Sequence, residues 1–409
     1  MKSMEQIWKK KTVIFILSQT VSLLGSSLVQ YAILWYITLS TQSGLMMTLS
    51  IICGFLPSFF LSPFAGVFAD RYNRKVLIIL ADAGIAAVTL LLAVVFMLGY
   101  DAIWLLFVIS AIRSLGTGIQ IPAEGAFLPQ FVPEEKLTRV NGINGTIQSV
   151  IALVSPMASG ALMAFAKLEV IFFIDVVTAA IAIVILLTML HVPPHKKAAE
   201  THTTGYFSDF ISGLKYLKGH GFIIRFLSFS AVFFFLAAPA AFLTPLQVAR
   251  SFHGGVWELS AIEIAFSLGM VLGGLLMTSW GGFKNRIHTM FVAGLLLGVF
   301  TFLMGVIPVF WLYLIIMGLT GIAIPLFHTP VTVLLQEKVE ESYMGRVFGL
   351  FGMIASAVMP IGMLVFGPLS DSVAIEWLLV GTGLLMTVAS TLLIGSKTLV
   401  KEGLPRISE

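Results

Sequence analysis

The chain has 409 residues, of which 58% are apolar and only 11% are charged, and its mean hydropathy is +1.00. Soluble domains carry about 25% charged residues, so this composition argues against a soluble globular fold. The isoelectric point near 9.1 could suggest nucleic-acid binding. However, the basic residues fall in short loops between apolar runs, where orientation in a membrane explains them better, and we expect no nucleic-acid partner.

The first apolar run begins at Val13 and continues to about Leu39 without a small-residue cleavage pattern. It therefore predicts a membrane span and not a signal peptide. Twelve such runs are each long enough to cross a hydrocarbon core, which takes about 20 helical residues. Helices are favoured because lipid offers no partner for backbone N–H and C=O groups, and the alternating segments of a β-barrel are missing. The predicted spans are 13–39, 44–69, 76–98, 102–121, 140–166, 170–190, 221–249, 256–280, 288–307, 310–330, 347–369 and 377–395.

The distribution of basic residues predicts the orientation of these spans. Of the 24 Lys and Arg residues, Lys167 and Arg250 fall in outer loops, Arg113 falls inside a span, and the other 21 lie in or beside inner segments. This holds when both termini are placed in the cytoplasm, and every loop agrees with it. The pattern predicts a multi-pass cell-membrane protein with cytoplasmic termini.

The longest hydrophilic stretch, 191–220, divides the spans into six and six. Its apolar residues after Tyr206 recur at helical spacing, which predicts a linker followed by an amphipathic helix on the inner leaflet. The predicted domains are an N-terminal six-helix bundle at 1–190, this cytoplasmic linker at 191–220, and a C-terminal six-helix bundle at 221–409.

The two halves of the chain repeat one another. After the fourth span of each half, Glu-Glu is followed by Arg-Val-x-Gly, at 134–142 and again at 340–349. After the second span of each half, Asn73-Arg74 matches Asn285-Arg286. Internal repeats recur in secondary transporters, whose substrate site lies between the repeats near the bilayer midplane. We therefore predict an all-α membrane protein of two pseudo-symmetric six-helix bundles.

The loop between spans 2 and 3 carries a candidate gating motif made of Gly66, Asp70, Arg71, Arg74 and Lys75. A glycine lets two helices approach closely, and an aspartate can face the positive end of a neighbouring helix. The three cations suit the anionic inner leaflet. The alternative is a charged turn that only fixes the topology.

The motif pattern, Gly-x-x-x-Asp-Arg-x-x-Arg-Lys, resembles the signature of the major facilitator superfamily. More narrowly, the segments GFLPSFFLSPFAGVFADRYNRK from Gly54 and GRVFGLFGMIASAVMPIG from Gly345 resemble the Mef-type macrolide efflux proteins of Gram-positive bacteria, in the drug:proton antiporter branch. The resemblance covers the whole chain and implies the major facilitator fold. It also implies that Asp70 and Arg71 act as a gate latch and that Arg113 takes part in proton coupling. In the second half, Gly282 and Phe283 replace the acid and the arginine, so any latch there must work differently.

Ionisable residues in or beside the spans are proton-coupling candidates, because a charge at mid-bilayer costs at least about 2.5–3.5 kcal/mol. The candidates are Asp82, Arg113, Asp175, Glu263 and Glu124. A carboxylate in a partly dry cavity can take up and release a proton as the cavity changes sides. The alternatives are that Asp82, Asp175 and Arg113 form buried structural pairs, that Glu263 sits in an outward vestibule, and that Glu124 belongs to the cytoplasmic loop.

The 33 Phe and 18 Met residues fit an adaptable drug cavity, although lipid-facing surface is the plainer explanation for most of them. The cavity candidates are Gln30, Trp35, Phe233, Phe234 and Phe235. The sequence has no P-loop, no Cys/His cluster for zinc and no serine-hydrolase motif. We therefore expect neither an enzyme nor a cofactor or metal site.

These observations lead to one leading hypothesis, a proton-coupled exporter of small amphipathic drugs that works by alternating access and as a monomer. Macrolides are the preferred substrate by resemblance. Exporters of tetracyclines, siderophores or peptides are the alternatives of the same class, and a metabolite uptake carrier is a related one. A channel, a membrane scaffold and a membrane-embedded enzyme are the alternatives of other classes.

Overall fold

The computed structural model describes residues 2–192 and 221–404, and within these ranges all regular structure is helical. The first range contains α1 Lys2–Thr41, α2 Gly44–Arg71, α3 Arg74–Met97, α4 Ile103–Phe127, the 3-10 turn Leu128–Gln130, α5 Glu134–Phe165 and α6 Leu168–Met189. The second range contains α7 Gly221–Phe242, α8 Thr244–Ser251, α9 Val256–Trp280, α10 Arg286–Val306, α11 Phe310–Lys338, α12 Glu341–Leu369, α13 Ile375–Gly395 and α14 Lys397–Glu402. The amphipathic helix predicted between 191 and 220 lies outside the described residues.

Twelve segments are helical, long and apolar enough to cross a membrane, which confirms the predicted all-α architecture. They are α1 to α6, the α7–α8 segment, and α9 to α13. At 1.5 Å per residue the 40 residues of α1 extend about 60 Å, twice the thickness of a hydrocarbon core of about 30 Å. Its first turns, which carry three consecutive lysines at 9–11, therefore extend past the apolar layer.

Proline affects two of the predicted spans. The seventh span covers Gly221–Ser251, close to the predicted 221–249, but its helix is interrupted inside the span: α7 ends at Phe242 and α8 starts at Thr244, directly before Pro245. The fourth span was predicted to end at 121, but α4 continues through Pro122 to Phe127. A proline can be accommodated inside a membrane helix when neighbouring groups satisfy the freed carbonyl.

Contacts between helices divide the chain into two units, one made of residues 1–41 and 49–201 and the other of residues 42–48 and 202–409. In the first unit, α1 packs against α5 and α6, while α3 packs against α4 and α6. In the second unit, α7 packs against α12 and α13, while α10 packs against α11 and α13. The same neighbour relations therefore recur, as expected when two repeats of one helical plan fold alike. The exact limits of the linker stay a prediction.

The repeat extends to individual side chains at the starts of α3 and α10. Asn73 accepts from the backbone N–H of the residue two positions on at 3.1 Å, and Asn285 does the same at 3.0 Å. Arg74 donates through Nε to the carbonyl five residues before it at 2.9 Å, and Arg286 donates through Nη1 to its equivalent at 3.2 Å. Asparagine is a strong N-cap because its side chain satisfies an otherwise unpaired N–H group.

Candidate functional site

Polar side chains form a stripe on each of two helices of the first unit. On α1, Gln19, Ser22 and Ser26 follow at intervals of three and four residues. On α4, Gln120 and Glu124 follow at the same helical phase as Arg113, seven and eleven residues later. Residues at these spacings share one face of a helix. The two stripes meet two carboxylates, Asp82 of α3 and Asp175 of α6.

Arg113 and Asp175 form a buried ion pair and are 6% and 0% exposed, respectively. The guanidinium also donates to Thr89 and, through Nη2, to the carbonyl of Ser26 at 3.3 Å. Ser26 in turn donates its hydroxyl to the other oxygen of Asp175 at 3.1 Å. Such a network offsets the desolvation of both charges. The structure thus pairs Arg113 with Asp175, and a part for either residue in proton coupling stays a prediction.

Asp82 lies in the same unit but has no counter-cation among the residues that the structure describes. It is 2% exposed. Its Oδ1 accepts from the Ser22 hydroxyl at 2.7 Å and from the Gln120 amide at 3.1 Å. Its Oδ2 is buried and has no hydrogen-bond partner among the described residues. A buried carboxylate with neutral donors and one open oxygen can hold a proton, which removes the cost of burying its charge.

Gln120 connects Asp82 to a second carboxylate. Its amide nitrogen also donates to Gln19 Oε1 at 3.3 Å, and its side chain interacts with Glu124, one helical turn further along α4. Glu124 is half-buried in the last turn of α4 and not in the loop that follows it. The sequence suggested a loop position because span 4 was predicted to end at 121, before Pro122. The sequence analysis did not select Gln120 and Ser22 as site residues. Their spacing from Arg113 and Gln19, which places each pair on one face of a helix, could have indicated them.

The motif between spans 2 and 3 is partly explained within the first unit. Arg74 donates through Nη1 to the carbonyl of Ala126 at 2.7 Å, and Lys75 donates to the carbonyl of Leu190 at 2.7 Å. Both side chains therefore hold the loop against the C-terminal ends of α4 and α6. Arg71 is exposed. The surroundings of Gly66 and the side chain of Asp70, in the last two turns of α2, lie outside what the structure describes, so the gate role stays a prediction.

In the second unit, Glu263 is half-buried on α9 and forms no hydrogen bond or ion pair with the described residues. The aromatic candidates differ in their environments. Phe233 is buried and stacks on Phe327 with ring centres 4.4 Å apart, and Phe234 is buried and stacks on His328 at 5.8 Å. Phe235 is half-buried against Phe366 at 5.3 Å.

The two candidates on α1 also differ. Trp35 is fully buried, and its indole nitrogen has no hydrogen-bond partner among the described residues, whereas Gln30 is exposed. Of the five cavity candidates, Gln30 and Phe235 thus keep surface that a substrate could contact. In the described ranges, no group of three or more His, Cys, Asp or Glu residues is placed to hold a metal ion.

Twelve membrane-crossing helices, arranged as two units with the same helix neighbours and with carboxylates inside the spans, are the architecture of a membrane transporter. The chain belongs to the Major Facilitator Superfamily, whose family model matches residues 15–363. This agrees with the family indicated by the motif after span 2.

Two curated relatives are macrolide efflux proteins. Macrolide efflux protein A of Streptococcus pyogenes is 31% identical over 385 residues, covering 93% of this chain and 95% of the relative. Macrolide efflux protein A of Enterococcus faecalis is 31% identical over 323 residues, covering 78% and 99% of the two chains. The fold is shared with a crystal structure of a POT family transporter bound to a thioalcohol-conjugated peptide, at a TM-score of 0.72 and 10% identity, covering 94% and 95% of the two chains.

Proposed function

We propose that this protein exports small amphipathic drugs, with macrolides as the preferred class, by alternating access driven by proton antiport. The similarity to two macrolide efflux proteins along 93% and 78% of the chain supports the substrate class and the direction of transport. The apolar composition supports a lipophilic substrate, since a carrier of sugars would be expected to line its spans with more hydrogen-bonding residues.

The observation that supports proton coupling is the contrast between two buried aspartates of one unit. Asp175 is neutralised by Arg113, whereas Asp82 has no cation partner among the described residues and one oxygen free of donors. Protonation from the outer side would neutralise Asp82, lower the cost of closing the site around it, and reset the transporter. The driving force is the proton gradient plus the membrane potential, about 2.3 kcal/mol per charge per 100 mV.

In this scheme the chain lies in the cell membrane with both termini in the cytoplasm, as the excess of basic residues in the inner segments indicates. Drug enters from the cytoplasm or the inner leaflet and leaves outside. The motif around Asp70 and Arg71 acts at the inner side as a gate latch. A single chain carries both repeats and functions as a monomer.

Drug accumulation in cells tests the function directly. Cells that express the protein should accumulate less of an erythromycin-type macrolide than cells with an empty vector, and a proton uncoupler should abolish the difference. Equal accumulation with and without the protein contradicts the macrolide assignment, and tetracyclines would be tested next. If export persists in uncoupled cells, proton antiport is wrong. A thiol-labelling map that places residues 191–220 outside the cell would overturn the orientation.

A further inference from the structure

Asp371, in the turn that follows α12, uses both carboxylate oxygens to hold the start of α2. Its Oδ1 accepts from the backbone N–H of Gly44 at 2.7 Å and from Arg250 Nη2 at 2.6 Å. Its Oδ2 accepts from the backbone N–H of Leu45 at 3.0 Å and from the Ser43 hydroxyl at 2.9 Å. Asp371 thus caps a helix that begins 327 residues earlier in the chain.

The chemistry of helix ends explains why a carboxylate binds there. The first N–H groups of a helix have no partner inside it and carry a partial positive charge, so they attract an anion. The residue next to α2 contributes a weak cap, because the N–H of Met46 donates to the Ser43 hydroxyl at 3.4 Å. Asp371 therefore satisfies two of the N–H groups at the start of α2 from a distant part of the chain.

Arg250, at the end of α8, holds three partners together. Besides its ion pair with Asp371, it donates through Nε to the carbonyl of Gln42 at 2.7 Å and through Nη1 to the carbonyl of Ser370 at 2.6 Å. Gln42 has a φ of +48°, a left-handed conformation uncommon for residues with a side chain. The guanidinium fork thus joins the turn before α2 to the turn after α12, which a lysine could not do with the same geometry. Arg250 was counted from sequence only as one of two outer basic residues.

The helices are close enough for this cap only because both carry glycine at the contact. A Cβ atom on Gly44 would overlap the hydroxyl of Ser370 and the carbonyl of Gly367, and a Cβ atom on Gly367 would overlap the hydroxyl of Thr48. Thr48 is 1% exposed and donates to the carbonyl of Met363 at 3.4 Å. The first turn of α2 is therefore in direct contact with the last turns of α12.

The position of this contact in the chain suggests movement. Residues 42–48 belong to the second unit, whereas α2 from residue 49 onward belongs to the first. We propose that Asp371, Arg250 and the first turn of α2 form an outer gate contact, the Asp371 cap, that breaks and re-forms in each transport cycle. This inference builds on the proposed alternating access but requires neither proton coupling nor a macrolide substrate. In the predicted orientation the Asp371 cap lies on the outer side of the membrane.

The alternative is a static cap that only stabilises the fold, and a buried reporter thiol separates the two. Cys53→Ser removes the only native thiol, and Thr48→Cys then places a thiol that is buried against Gly367 and Met363 of α12, one turn after the N–H groups that Asp371 binds. In the parent protein, a membrane-impermeant maleimide should label this thiol slowly from the outside of intact cells. Adding Asp371→Asn should speed labelling on the order of tenfold, since it removes the charge that binds the helix end.

Glu376→Gln is the matched control, because Glu376 follows the same turn but accepts from Ser251 on α8 and not from α2. It should leave the labelling rate unchanged. Labelling at the parent rate in Asp371→Asn would overturn the proposal. The labelling needs no drug and no proton gradient, so it stays informative if the proposed function fails.

A reversible covalent link tests whether the contact must open. Ser43→Cys combined with Asp371→Cys, in the Cys53→Ser background, places two thiols where a hydrogen bond of 2.9 Å now joins the side chains. Oxidation should stop transport and reduction should restore it in the same protein, which excludes misfolding as the cause. Full transport with the disulfide formed would show that the contact is static.

Discussion

The guanidinium of Arg113 is paired with the carboxylate of Asp175 in the core of the first unit, and the two residues are 6% and 0% exposed. Seven residues further along the same helix, Gln120 donates to Asp82 at 3.1 Å. One face of α4 therefore presents a cation to one buried carboxylate and a neutral amide to the other. This difference assigns the two carboxylates different roles, and it can be tested by substitution.

We expect Arg113→Ala to destabilise the protein by about 3–5 kcal/mol, because it leaves the Asp175 charge buried without its partner. Thermal unfolding of the purified protein in detergent measures the loss. The double substitution Arg113→Met with Asp175→Leu should recover most of it, since it removes both charges together. Arg71→Ala, at an exposed position, is the matched control and should unfold with the parent. No recovery in the double variant would mean that the charges do more than compensate each other.

Asp82→Asn should abolish uphill export while leaving exchange of drug across the membrane intact, since the amide keeps the contact with Ser22 but cannot carry a proton. The measurements are drug-driven proton flux and drug counterflow in proteoliposomes. Asp101→Asn, an exposed carboxylate between spans 3 and 4, should behave like the parent. Normal uphill export by Asp82→Asn would contradict this prediction and would indicate that Glu124 or Glu263 carries the proton.

The Asp371 cap should be insensitive to pH in the range that cells meet. Burial alone would raise the pKa of Asp371, but hydrogen bonds from Leu45, Gly44, Arg250 and Ser43 together hold that pKa below its ordinary value of 3.8. A lowered pKa means that the stabilisation is fully present above the ordinary value and is lost as the pH falls through the lowered one. The labelling rate of the Thr48→Cys reporter should therefore stay constant from about pH 5 to about pH 8. A rise on acidification within that range would instead make the Asp371 cap a proton-sensitive gate.

Gly367→Val should prevent the first turn of α2 from seating against α12, because its side chain would occupy the space of the Thr48 hydroxyl. Export should fall severalfold, while the unfolding temperature falls by only a few degrees, since the contact lies at the ends of the helices. Gly381→Val is the matched control, because a Cβ atom there meets nothing within 4 Å. If Gly367→Val exports as well as the control, the close approach has no role in transport.

The helical architecture could be predicted from the sequence because it depends on local chemistry. Lipid leaves a long apolar run no other way to satisfy its backbone, so hydropathy alone identified twelve spans. The match between Asn73-Arg74 and Asn285-Arg286 could also be predicted from the sequence. The asparagine cap and the arginine hydrogen bond each involve residues at most five positions apart in the chain. The break inside span 7 and the continuation of span 4 past Pro122 were missed, because a proline can either break a membrane helix or be accommodated in it, and local sequence does not distinguish the two.

The tertiary structure alone decided which charged residues meet. In the sequence, Asp82 and Asp175 are equivalent acids. The packing of α1, α3, α4 and α6 pairs Arg113 with Asp175. It gives Asp82 only the neutral donors Ser22 and Gln120 among the described residues. Likewise, Arg250 and Asp371 lie 121 residues apart in the chain, and nothing near either of them indicates that they hold the start of α2. Ion pairs and caps between distant segments depend on which helix ends come within about 3 Å, and that distance is set by the packing of whole helices.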